Sequence, residues 1–415
     1  MGRSSSKTAP SVNVSKGRLD LLTKLMADDS SEIVARGIRE WLNEGAVLLA
    51  KMLLNSEVLE LVGDRHERKA DRDCVRWGEQ DGSILLLEQR VPISKPRVRT
   101  KGGHAEVELQ TYKQLNDKKF LNEQATAKLL SGTSTRRFKK TLESVLHGHG
   151  VGRQTISQRA ISEMSIQLHE FKTRNLENKN IAVVFIDGIH LGETVYVAAV
   201  GIDSSGYRHV LDFEPGVTES STVCKGLLRN LLERGILSEE GAYLFVIDGG
   251  TGVKKAIREV FGKRAYIQRC TVHKKRNIKD KLPKHMQEEI LHKFNAAYSK
   301  KTAKAAETAF TKLRKELILQ RRHAAANSLT EGLQEILTLH KLGVTGVLRK
   351  SLHSTNCIES VFSAARYYSR NVKRWRKEEQ MERWMAAGLL EAEKNLRRIP
   401  GYTNLKELTK SLYSI

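Results

Sequence analysis

The stretch IAVVFIDG, residues 181–188, limits the possible folds more than any other part of the chain. Ile181 to Ile186 are almost all β-branched or aromatic, the composition of a strand covered on both faces, and Asp187 follows at its tip. From here the apolar period is two. TVYVAAVGID (194–203) reads as a second buried strand and RHVLDFEPG (208–216) as a third, and the turn stretches DSSG and EPG are of hairpin type, giving an antiparallel meander. A helix (SSTVCKGLLRNLLERG), a fourth strand (YLFVIDGG), a helix (TGVKKAIREVFG) and a fifth strand (AYIQRCTVH) come next. The order βββαβαβ predicts an α/β domain on a mixed five-stranded sheet.

Strands one and four both end in Asp-Gly, at Asp187-Gly188 and Asp248-Gly249. If the two strands are parallel neighbours, their carboxylates meet at one edge of the sheet. Either aspartate alone is explained as a turn former. Together they suggest a metal site, because adjacent carboxylates repel and stay ionised only beside cations, and Mg²⁺ prefers such hard oxygen donors. Two ions so held activate an attacking oxygen and stabilise a leaving one in phosphodiester displacement. Glu359 is the candidate third acid, since STNCI (354–358) reads as a helix start. The competing explanation is a capping box between Asn356 and Glu359. Arg366, Arg370, Arg374 and Lys377 follow Glu359 at offsets of 7, 11, 15 and 18. On one helix, at about 100° per residue, all four return to within about 60° of the Glu359 direction. That face suits a nucleic-acid strand leaving the site. A solvated charged face is the alternative, and a bend near residues 369–371 would spoil the alignment.

Charge supports a polyanionic partner: 71 Lys and Arg against 48 Asp and Glu give the 415-residue chain a formal charge of +23. The length suits about three domains at roughly 150 residues each. No apolar run reaches the roughly 18 residues of a membrane span and MGRSSSKTAP lacks a signal core, so a soluble cytoplasmic protein without a membrane partner is expected. Cys74, Cys224, Cys270 and Cys357 have no paired spacing. Cys270 and His273 supply half a zinc site at most, so zinc is not expected and the pair reads as packing or support. GGTGVKK after Asp248 lacks P-loop spacing, and no nucleotide is implied.

Ahead of the sheet, residues 1–30 read as a flexible N-terminus and 31–63 as two helices with Gly45 a weak break. A basic, irregular segment with a short strand region follows, containing two prolines and the four basic residues of Lys95 to Lys101. Residues 121–165 predict three short helices with glycine turns, in the manner of a helix-turn-helix, with Arg153, Gln154, Ser157 and Arg159 on the recognition helix. An ordinary helical hairpin with solvated charges fits the same pattern. Residues 282–350 are helical and basic, and the stretch from His353 reads as one or two long helices.

FIDGIHLGETVYVAAVGID, VIDGGTGVKKAI, QRCTVHKKRNI and LHSTNCIESVFSAARYYSRNVKRWRKEEQMERWMAAGLLEAEKNLRRIPGY together resemble the bacterial Mutator-like transposases of the IS256 group. Weaker likeness in EVLELVGDRHER, ISKPRVR and LSGTSTRRF extends it over roughly residues 50–400. The resemblance implies an RNase H-like DDE catalytic domain over 181–281 and 351–395, with Asp187, Asp248 and Glu359 as catalytic and metal-binding triad. It further implies an all-α insertion over 282–350, Cys270 and His273 as the family's C-x-x-H signature, and a mainly α N-terminal DNA-binding region over 31–175 that recognises terminal inverted repeats. CVRWGEQDGS stands where the family carries a GYRNGY-like run, a departure that bears on local DNA contacts rather than on catalysis. The implied activity is cleavage at the element ends and joining of the 3′ hydroxyl to target DNA with two Mg²⁺ or Mn²⁺ ions and no ATP. At least a homodimer is expected at synapsis, in a bacterial cytoplasm on the nucleoid. Two rivals are a sequence-specific DNA-binding protein with a non-catalytic RNase H-like scaffold and a structure-specific nuclease.

Overall fold

A computed structural model describes residues 31–64, 73–86, 89–102, 105–132, 153–216 and 220–414. The chain divides into two compact units, residues 1–129 with 133–160, and residues 130–132 with 161–415.

In the first unit α1 (Ser31–Val62) is one continuous helix rather than the two expected. Gly45 costs such a helix only about 1 kcal/mol relative to Ala. The i, i+4 row Ala50, Leu54, Val58 and Val62 is buried against Ile84, Val91, Ile93 and Val98. Those residues come from β1 (Cys74–Leu86) and β2 (Gln89–Thr100), which with β3 (Glu106–Val107) form a three-stranded antiparallel sheet. Strand structure is therefore far more extensive here than the short region expected in a mainly α segment. Pro92 and Pro96 are tolerated because β3 pairs only with Val98 and Arg99, and because the ladder to β1 is already irregular between Arg76 and Glu79. α2 (Gln110–Leu115) lacks a side-chain cap of its own, and the Glu57 carboxylate accepts from the amides of Gln110 (2.6 Å) and Thr111 (2.9 Å) instead.

α3 (Lys118–Leu130) and α4 (Arg153–Thr173) match the first and third helices of the proposed helix-turn-helix. The middle helix falls on residues 133–152, outside the described residues. Arg153, Gln154, Ser157 and Arg159 occupy the first two turns of α4.

The second unit is built on a five-stranded sheet ordered β6–β5–β4–β7–β8. β4 (Ile181–Leu191), β5 (Thr194–Asp203) and β6 (Arg208–Gly216) form the expected antiparallel meander, while β7 (Tyr243–Ile247) and β8 (Ala265–Arg269) run parallel to β4. The crossovers α5 (Ser221–Glu233) and α6 (Thr251–Phe261) cover one face, where Val184, Ile186, Phe245 and Ile247 meet Leu227, Leu231, Ile257 and Phe261. After β8 come α7 (Thr271–Lys279) and the helices α8 (Lys284–Tyr298), α9 (Ala303–Leu319) and α10 (His323–Thr330), the last three sharing a core around Phe294, Phe310 and Leu329.

The opposite sheet face, carrying Val183, Phe185, Ile189, Leu244 and Val246, is covered by α11 (Asn356–Ser369) and α12 (Glu378–Lys394) through Ile358, Val361, Phe362, Met385 and Leu389. Each such side chain removed from water contributes about 1.5–3 kcal/mol. Among the described residues no helix is long and apolar enough to cross a membrane.

Candidate active site

Asp187 is not at the end of its strand. β4 continues to Leu191 because β5 continues opposite it, pairing Asp187 with Ala198 and Leu191 with Thr194, and the turn falls at Gly192, where φ is 64°. What ends near Asp187 is β7: its pairing with β4 runs from Val183↔Leu244 to Ile186↔Ile247. Asp187 and Asp248 are therefore the residues directly after the last partners of two parallel strands, which lie about 4.8 Å apart. Side chains alternate along a strand, and Phe185 and Val246 belong to the face under α11. Continuing that alternation puts both aspartates on the α11 side of the sheet, each half-buried. Asp248 does act as a turn former as well, since its Oδ1 accepts from the Gly250 amide at 2.7 Å.

Glu359 stands in the first turn of α11, held by its neighbours Ile358, Val361 and Phe362 in the core. The capping-box alternative is not what the structure has. Thr355, not Asn356, is the N-cap, it makes no side-chain cap bond, and the Glu359 carboxylate instead accepts from the Thr355 hydroxyl at 2.8 Å. Thr355 Oγ1 also lies 3.4 Å from His273 Nδ1 and 3.5 Å from Cys270 Sγ, and the Thr355 amide donates to that sulfur at 3.4 Å. Cys270 caps α7 by accepting from the His273 amide at 3.5 Å, and its own amide donates to Ile247 O at 2.7 Å. A short chain of contacts thus connects the strand tip carrying Asp248 to the helix start carrying Glu359.

Charge binds the same group together. His273 is pushed up to about 9, first by its hydrogen bond with Cys270 against the opposing effect of burial, then by the negative charges of Cys270, Asp187 and Asp248. Burial acts to raise the Cys270 thiol, but its hydrogen bonds with His273 and Thr355 outweigh that and hold it below the usual thiol range. An imidazolium is therefore stabilised within electrostatic reach of both aspartates.

A family model described as "Transposase, Mutator family" matches residues 19–398. This chain belongs to the Mutator family of transposases. It is 28% identical over 370 residues to the transposase for insertion sequence element ISRM5 of Rhizobium meliloti (strain 1021), covering 86% of this chain and 88% of the relative. It is 27% identical over 305 residues to the transposase for insertion sequence element IS905 of Lactococcus lactis subsp. lactis (strain IL1403), covering 71% and 74% respectively. The transposase for insertion sequence element IS6120 of Mycolicibacterium smegmatis matches at 27% over 251 residues, 59% of this chain and 75% of the relative.

As a Mutator-family transposase the chain is an enzyme, and its partner is DNA. Several residues expected to touch that DNA are not arranged as the sequence suggested. Arg366 is exposed on α11, but the helix ends at Ser369, so the basic ladder is not one helical face. Ser369 Oγ turns back to the Ala365 and Arg366 carbonyls, and Arg370 stacks 3.7 Å over the Tyr367 ring while donating to Ser131 O at 3.2 Å. Arg374 and Lys377 lie exposed on the segment between α11 and α12.

Among the described residues of this transposase no three His, Cys, Asp or Glu side chains are gathered into a cage for one ion. The donors nonetheless suit Mg²⁺, which is commonly held by one or two carboxylates and completed by water and substrate phosphate. Asp187 and Asp248 supply such a pair at a half-buried edge, and Glu359 is on the same side of the sheet. Thr355 is the site residue that sequence reasoning passed over. The only signal for it was its place four residues before Glu359, where an i, i+4 pair faces one way on a helix.

Proposed function

We propose that this Mutator-family transposase is a DDE enzyme of the IS256 type. Its catalytic domain is RNase H-like, formed by residues 181–281 and 351–395 around an all-α insertion at 282–350. Asp187, Asp248 and Glu359 hold Mg²⁺ or Mn²⁺, two ions in the working complex. The single observation that carries this reading is the parallel register Ile186↔Ile247, which makes neighbours of two aspartates 61 positions apart in the sequence. The strand order β6–β5–β4–β7–β8, with three antiparallel strands followed by two parallel ones, supports the RNase H-like assignment.

The reaction has two stages. Water first attacks the phosphodiester joining the element's 3′ end to flanking DNA and frees that 3′ hydroxyl, which then attacks a target phosphodiester, bonding to its phosphorus as the target strand's own 3′ hydroxyl leaves. One phosphodiester replaces another in the second stage, so no ATP is needed. When bound, the metal ions activate the attacking oxygen and stabilise the leaving one. The three carboxylates would hold those ions, and His273 is stabilised as a cation by its hydrogen bond with Cys270 and then by the negative charges of Cys270, Asp187 and Asp248. Arg366, Arg374 and Lys377 hold DNA backbone near the carboxylates, and Arg370 joins them by leaving Tyr367. Residues 31–175 recognise the terminal inverted repeats through a helix-turn-helix at about 121–165, in which Arg153, Gln154, Ser157 and Arg159 face the DNA. Two element ends require at least a homodimer, working at the nucleoid of a bacterial cell.

The test is end cleavage and strand joining by the full chain on a plasmid carrying the element's ends, with Mg²⁺ or Mn²⁺. Joined products support the reading. Cleavage without joining assigns a structure-specific nuclease instead.

A further inference from the structure

We propose that Thr355 is a positioning residue: its hydroxyl, seated on Cys270 and His273, fixes one oxygen of Glu359 and leaves the other to the catalytic ion. This rests on the reading of Glu359 as a metal-holding acid. Thr355 is fully buried, so its hydroxyl is not oriented by solvent. A hydroxyl has one proton to donate. Of the groups around Thr355 Oγ1, Glu359 Oε1 at 2.8 Å is much the nearest, while His273 Nδ1 and Cys270 Sγ stand at 3.4 Å and 3.5 Å. The proton therefore goes to Glu359, and the hydroxyl lone pairs face His273.

The same residue is tied down by its backbone. Its amide donates to Cys270 Sγ at 3.4 Å and its carbonyl accepts from the Glu359 amide at 3.0 Å. Cys270 in turn is fixed to Ile247 O at 2.7 Å, one residue before Asp248. Running from Asp248 through Ile247, Cys270 and Thr355 to Glu359, these contacts set where the third acid stands relative to the second. Free glutamate on a helix surface samples many rotamers. Hydrogen-bond partners of metal-holding side chains typically change metal affinity about 10–100-fold when removed. Thr355 has the geometry of such a partner, and the Cys270–His273 pair serves it as a platform rather than as half of a zinc site.

The experiment is Mn²⁺ titration of the full chain followed by electron paramagnetic resonance, paired with the Mn²⁺ concentration giving half-maximal plasmid cleavage. Thr355→Val, which keeps shape and removes the hydroxyl, is expected to weaken Mn²⁺ binding about 10–100-fold and to raise the half-maximal concentration equally. DNA binding should be unchanged. Thr355→Ser, which restores the hydroxyl, is expected to return both values to within about threefold of the original chain. Thr355→Ala is the second hydroxyl-free variant should the valine not fold. The inference is overturned if a folded hydroxyl-free variant binds Mn²⁺ like the original chain while Glu359→Gln does not. If Glu359→Gln also binds Mn²⁺ normally and still cleaves DNA, the triad reading itself has failed.

Discussion

Ile186 of β4 and Ile247 of β7 are partners in parallel register, and the residue following each is an aspartate. The candidate site depends on this one alignment. A slip of one residue would turn one aspartate to the face covered by α5 and α6, where Ile186 and Ile247 are buried. The apolar residues on both faces of β4 and β7 therefore hold the site's register as well as the core.

Phe362 anchors the helix that carries Glu359 and is 2% exposed. Phe362→Ala is expected to cost about 3–5 kcal/mol of unfolding free energy. Chemical denaturation measures this. A loss below about 1 kcal/mol would mean that α11 is not held by this contact.

Gly249 follows Asp248 with φ of 110°, and a Cβ there would collide with the Arg269 guanidinium. Gly249→Ala is expected to destabilise by about 1–3 kcal/mol, because a φ of 110° disfavours any residue with a Cβ and the Arg269 guanidinium would have to move aside. Cleavage should fall by more than the unfolded fraction explains, since the displaced loop carries Asp248. Melting temperature and cleavage rate, measured on one preparation, separate the two effects.

The raised His273 gives a pH signature. A group whose folded value lies above its unfolded one stabilises fully below the unfolded value, near 6.5, and loses that contribution as pH rises through about 9. In EDTA, the stability advantage of the original chain over His273→Gln is expected to be largest below pH 6.5 and to shrink towards and beyond pH 9. An advantage that grows with pH over this window would contradict the arrangement.

Much of the second unit was legible in the sequence. Strands β4 to β8 and helices α5 and α6 follow from a clear switch between period two and period 3.6, punctuated by Gly and Asp-Gly turns. Less legible was whatever depended on a distant neighbour. The extension of β4 to Leu191 is set by β5, the long β1–β2 ladder tolerates two prolines because β3 is short, and the contacts of Thr355 with Cys270 and His273 reach across 85 and 82 positions. The end of α11 at Ser369 has no glycine or proline to announce it, so Arg374 and Lys377 read as helical.

Arg374 and Lys377, exposed on the link after α11, are expected to contact phosphate. Arg374→Gln and Lys377→Gln should each weaken DNA binding uniformly across sequences and reduce the slope of log affinity against log salt by about 1. Binding measured over a salt series checks this, and an unchanged slope would remove both residues from the interface.

The decisive measurement compares Asp187→Asn, Asp248→Asn and Glu359→Gln in Mg²⁺-dependent cleavage of a plasmid bearing the element's ends. All three are expected to lose cleavage by about 10³-fold or more, the scale on which groups that stabilise developing charge act, while folding and DNA binding persist. Full cleavage by any one of the three would contradict the assignment of that acid, and full cleavage by both aspartate variants would contradict the site.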